Sequence, residues 1–195
     1  MAIFTDIRSR AASAMQSALH CFAANLPAES ITRADGRPYL IRALVCRLPG
    51  GRRIYLHAFV GSDEPALYHD HPCRFVCIIL AGHYQEDTLR DDVIGVPIIR
   101  TRTLNAGRVN FIAPDRRHRI EILSPVVWTL VYRGRTRSMW SLRRIWRGPL
   151  GRWHQHDRLM RPGPDTAWRN APRFEDVWAQ ARATLDPEGA ARHVH

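Results

Sequence analysis

His69-Asp70-His71-Pro72-Cys73-Arg74, followed by the apolar run Phe75-Val76-Cys77-Ile78-Ile79-Leu80 and then Gly82, decides how this chain is read. On a strand, residues i and i+2 face the same side. The imidazoles of His69 and His71 can therefore grip one metal ion together. A third histidine, His118, opens another apolar run, beyond turn signals at Asn105-Ala106-Gly107 and Pro114-Asp115. Two histidines before one strand and a third at the start of a later one make a three-imidazole centre the first expectation, on His69, His71 and His118.

Outward from this stretch the chain keeps one texture from Pro38 to about Arg147. Short apolar runs alternate with turn signals: Tyr39–Cys46, Ile54–Val60, Phe75–Leu80, Val96–Thr101, Val109–Ile112, His118–Leu123 and Val126–Tyr132. Pro49-Gly50-Gly51 reads as a hairpin turn between the first two. Gly82, Asp91-Asp92 and Ser124-Pro125 punctuate the others. Short strands at this spacing predict an all-β sandwich or barrel.

The two ends differ. Residues 5–26 predict a helix, capped at Thr5 or Asp6 and ended by Pro27. Ile7, Met15, Leu19, Phe22 and Leu26 fall on one apolar stripe, expected to dock on the barrel. After Arg147, Gly148, Pro149, Gly151, Pro162, Gly163 and Pro164 predict irregular chain over much of the segment. A short helix is expected over Phe174–Leu185, with Val177, Trp178 and Ala181 inward, and the tail from Asp186 reads as frayed. This divides the chain into an N-terminal helix over 1–35, one domain over 36–150 and an extension over 151–195.

Composition sets outer bounds. The chain has 195 residues, 45% hydrophobic and 24% charged, which suits one globular domain. No apolar run reaches the roughly 18 residues of a membrane span. The four cysteines, Cys21, Cys46, Cys73 and Cys77, form no CxxC pair or disulfide framework. A cytoplasmic location is the expectation. The net charge is +11, and all 29 basic residues are arginine. Thirteen of them fall in residues 100–152 against two acids, Asp115 and Glu121. They read first as a solvated outer face, and second as a surface for an anionic or nucleic-acid partner.

The histidine and glycine framing resembles the cupin family, whose first motif runs His-x-His, Glu, Gly and whose second runs Gly, Pro, His. His69, His71 and Gly82 match the first; Gly107, Pro114 and His118 match the second. The resemblance implies a jelly-roll barrel, the double-stranded β-helix, over roughly residues 38–147. Phe75 stands where the motif's ligand Glu belongs, so the three-His-one-Glu set is absent. Glu86 reads as a group behind the metal ligands, on an interior face shared with Cys77. Neutral imidazoles leave a divalent ion uncompensated, which favours an anionic ligand from the substrate.

The same region is similar to thiol dioxygenases related to cysteine dioxygenase, through Tyr39-Leu40-Ile41-Arg42, Gly82-His83-Tyr84-Gln85-Glu86 and Tyr132. It also resembles bacterial and phage cupins with an HDHP signature and an Arg-Trp stretch after the barrel. The thiol-dioxygenase likeness implies a mononuclear Fe(II) oxygenase, with Zn, Ni or Cu as other metals. Arg42 would bind a substrate carboxylate, Tyr132 would act in the pocket, and Glu86 and Cys77 would border the substrate. Leu130 stands where that family has a further histidine. A non-catalytic ligand-binding cupin is the alternative; a homodimer is one arrangement. His57 reads as core or pocket wall, His154 and His156 as surface, and Trp128, Trp140, Trp146 and Trp153 as core and lid packing.

Overall fold

The computed structural model describes residues 2–91, 96–136, 139–149, 152–160, 168 and 170–186, with side chains from residue 10 onward. Helix α1 (Ala2–Ala23) leads into β1 (Ala28–Thr32), β2 (Pro38–Leu48) and β3 (Arg52–Phe59). Then come β4 (Leu67–His69), β5 (Phe75–Ala81), β6 (His83–Asp91), β7 (Pro97–Asn105), β8 (Val109–Ile112), β9 (Arg117–Ile122) and β10 (Val127–Arg133). Strands β11 (Trp140–Arg147) and β12 (Trp153–Met160) and helix α2 (Phe174–Leu185) complete the chain. Two six-stranded sheets face one another, in the orders β1-β2-β3-β10-β5-β8 and β12-β11-β4-β9-β6-β7, with every pairing antiparallel. This is a jelly-roll sandwich of the cupin type.

The expected runs all became strands, and alternation explains their placement. In the first sheet the inner face carries Arg42, Tyr55, His57, Cys77, Thr129 and Val131. The outer face carries Ile41, Ala43, Leu56, Ala58 and Trp128, packed against Phe174, Val177 and Ala181 of α2. Where α2 lies, both faces of this sheet are therefore buried. Helix α2 has Glu175 and Asp176 in its first turn and Arg182 in its last, the charge order that suits a helix dipole. His20 of α1 lies 2.7 Å from Glu175 and joins the two helices.

Three expectations change. Helix α1 starts at Ala2 and ends at Ala23, so neither Thr5 nor Asp6 caps it. Its stripe does not dock along its length: Met15 is 49% and Phe22 59% exposed, while Leu19, Ala23 and Leu26 meet the core. Gly82 does not close a hairpin. It carries the chain from β5 in one sheet to β6 in the other. Its φ is 78°, and a Cβ there would stand 2.6 Å from the Val126 carbonyl oxygen, so only glycine fits the crossing.

Within the C-terminal stretch the structure adds β12, paired along its length with β11. Trp128 is in the core, whereas Trp146 and Trp153 point outward, 45% and 41% exposed. The Pro162–Pro164 segment and the tail beyond 186 lie outside the described residues. No helix among the described residues is long and apolar enough to cross a membrane.

Candidate metal centre

Strands β4 and β9 are neighbours in the second sheet, and His69 and His118 are direct register partners. His71 follows β4 by two residues; its backbone N–H donates to the Pro114 carbonyl at 3.1 Å. Asp70, between the two histidines, points the other way. It accepts the Ser141 N–H at 2.5 Å and the Ser141 hydroxyl at 2.6 Å, pinning the ligand segment to β11. The three ring centroids then lie 4.7–5.0 Å apart. One nitrogen from each ring lies within 4.8 Å of the others, so the three expected ligands converge.

Hydrogen bonding fixes which nitrogens face the centre. His118 Nδ1 donates to Glu86 Oε1 at 2.7 Å, leaving Nε2 as the free lone pair. That Nε2 faces His71 Nε2 at 2.8 Å. Two nitrogens bound about 2.1 Å from one ion at right angles would stand about 3 Å apart. The donor set therefore fits a divalent metal gripped on one face. Asp63 Oδ2 lies 3.8 Å from His69 Nδ1, too far for a hydrogen bond, and accepts the Ile120 N–H at 2.7 Å. Burial lowers His69 to about 4 and His71 well below its usual value, so both rings are neutral and ready to ligate near neutral pH.

Glu86 is fully buried. Arg102 Nε donates to its Oε2 at 2.7 Å, Arg116 to Oε2 at 3.2 Å, and Asn110 Nδ2 to Oε1 at 3.0 Å. Burial pushes its carboxyl up, but the bonds from His118, Asn110 and Arg102 outweigh burial and hold it at about 2. Glu86 does not line the cavity in front of the histidines, which corrects its expected place beside the substrate. Its role is to hold the His118 ring. The interior that Glu86 shares with Cys77 is not one sheet face, because β5 and β6 belong to different sheets.

A cavity of about 870 Å³ opens in front of the triad, between the sheets. Cys77 lines it, its thiol pushed up to about 12 by burial and then by Glu86. Arg42 lines it too, as alternation along β2 predicts. Its guanidinium pairs with Glu29 and lies over the rings of Tyr55 (5.0 Å) and Trp168 (5.7 Å). Tyr132 does not reach the cavity. It shares the helix-covered side of the sheet with Trp128 and has Ile54 and Val76 as cross-strand partners, while Thr129, Val131 and Arg133 supply the cavity wall from β10.

Several of the arginines of residues 100–152 hold partners within the chain. Arg102 and Arg116 hold Glu86, Arg119 bridges Asp87 and Glu121, and Arg143 bridges Asp91 and Asp157. Sequence reading missed Asn110 and the arginines around Glu86, which strand register brings there.

No protein-family model matches the chain, and no curated protein matches it. Among solved structures its backbone is similar to Fe(II)-HppE with the alternative substrate (S)-1-HPP, at 12% identity over 56% of each chain and a TM-score of 0.45. It is also similar to KdgF from Halomonas sp. (15% identity, 55% of this chain and 87% of that one, TM-score 0.40). A third likeness is to Drosophila melanogaster CENP-C bound to CAL1 (13% identity, 65% and 98%, TM-score 0.45). The chain spans just over half the length of the HppE chain. At these identities and scores, none of the three bears on what this chain does.

Proposed function

We propose that this protein is a metal-dependent enzyme, a mononuclear non-haem iron oxygenase that acts on a small anionic thiol or carboxylate. The observation that carries the reading is a centre of three converging imidazoles, without a carboxylate ligand, at the wall of a cavity that also holds Arg42. Such a centre keeps the ion's positive charge and attracts an anionic substrate group. Bound Fe(II) would supply the one-electron chemistry that lets molecular oxygen react with a closed-shell substrate.

The chain's own residues do the rest. Glu86 orients His118 from behind. Phe75, at 4.4 Å from the His71 ring, closes the side where a carboxylate ligand is missing. Tyr55 and Val131 line the cavity and exclude water. Arg42 gives its Nε and one Nη2 donor to Glu29 and has its remaining N–H groups to offer a carboxylate. The test is oxygen uptake by the Fe(II)-loaded chain with a panel of small thiols and carboxylates. Uptake with one of them, lost in His71→Ala, is expected. Metal and ligand binding without uptake would make the protein a ligand-binding cupin instead.

A further inference from the structure

A polar row crosses the first sheet opposite the metal centre. Strand register aligns Glu29 with Arg42, Arg42 with His57, and His57 with Thr129, and all four side chains line the cavity. Glu29 and Arg42 satisfy one another. His57 and Thr129 do not: among the described residues, His57 Nε2 and Thr129 Oγ1 are buried with no hydrogen-bond partner. Their residues are 7% and 1% exposed. Leaving such a group unpaired costs about 1–3 kcal/mol, and folded chains keep few of them. Two on adjacent strands, side by side on a cavity wall, form a place prepared for a ligand atom.

We infer that His57 and Thr129 form a socket for a hydroxyl oxygen, so that the anionic substrate is a small hydroxy acid. The inference rests on the proposed reading of the cavity as a site for a small anion. A neutral imidazole and a threonine hydroxyl can each donate or accept, which suits a hydroxyl that does both. A carboxylate only accepts, and its natural partner in the row is Arg42. Direct cross-strand neighbours have Cβ atoms about 4.5–5.5 Å apart, which leaves room for one oxygen between the side-chain tips. Burial, followed by the nearby Arg42 charge, lowers His57 well below its usual value and keeps it neutral. His57 and Thr129 are thus positioning residues that set the substrate's orientation toward the opposite wall.

The test uses the zinc-loaded full chain and calorimetric titration with glycolate, 3-hydroxypropionate and 4-hydroxybutyrate, each against its deoxy acid. At least one hydroxy acid is expected to bind about fivefold tighter than its partner, the worth of one added hydrogen bond. Thr129→Val should erase that preference and leave zinc content unchanged, and His57→Phe should do the same. The metal-free chain gives a second reading. Thr129→Val should hold or raise the urea midpoint, because it removes an unsatisfied hydroxyl. No hydroxyl preference in the wild type, a preference that survives Thr129→Val, or a clear fall in that midpoint overturns the inference. Failure of the wild type to bind zinc or any of the acids overturns the proposed function instead.

Discussion

Glu86 and His118 lie fully buried against one another, with the His118 Nδ1–H donating to Glu86 Oε1 at 2.7 Å. The pair joins β6 to β9 and sets the ring that sits at the centre of the three histidines. An anionic acceptor on one ring nitrogen makes the other a better metal ligand.

Glu86→Gln keeps the size of the side chain and removes its charge. Metal affinity should fall about tenfold to a hundredfold, the usual effect of losing a partner behind a ligand. Competition against a chromophoric chelator measures it. Unchanged affinity would show that the His118 ring needs no anion behind it.

Acid should unfold the metal-free chain early. His57, His69 and His71 are held neutral, His69 at about 4, so the unfolded chain takes up protons that the folded chain refuses. Stability from these rings is complete above about pH 6.5 and is lost as pH falls toward 4, at about 1.4 kcal/mol per pH unit for each histidine. The low Glu86 value adds a loss in the same direction below about pH 4.5. Urea midpoints across this range measure the slope, and a flat profile from pH 7 to 5 would contradict it.

Arg42 and Glu29 should have opposite effects on anions. Arg42→Gln removes a cation from the cavity and weakens carboxylate binding severalfold, whereas Glu29→Gln frees the guanidinium and strengthens it. Zinc content should stay the same in both, since neither side chain touches the triad. Parallel titrations with one carboxylate decide the sign.

Tyr132→Phe should leave ligand affinity and oxygen uptake within about twofold of the wild type, because the residue stands on the face of β10 away from the cavity. A large loss in either measurement would place Tyr132 back in the pocket.

The sequence carries what depends on local pattern. Period-two alternation placed Arg42 and His57 on the inner face, and the His-x-His pair with the Gly82 crossing located the metal ligands. What it carries poorly is which of two buried faces a strand presents. Trp128, Leu130 and Tyr132 alternate onto one face, and that face is the one on which Trp128 meets α2, not the cavity face. The α1 stripe misled for the converse reason: helical spacing marks an apolar face without saying that anything covers it, and Met15 and Phe22 stand exposed. Asn110, distant in sequence from the Glu86 it serves, becomes visible only through sheet register.

The most direct test of the metal centre is stoichiometric metal analysis of the purified chain alongside His69→Ala, His71→Ala and His118→Ala. The account predicts one divalent ion per wild-type chain and loss of tight binding in each of the three variants, with the fold retained by circular dichroism. A wild type that binds no metal, or full occupancy surviving in any one variant, would contradict it.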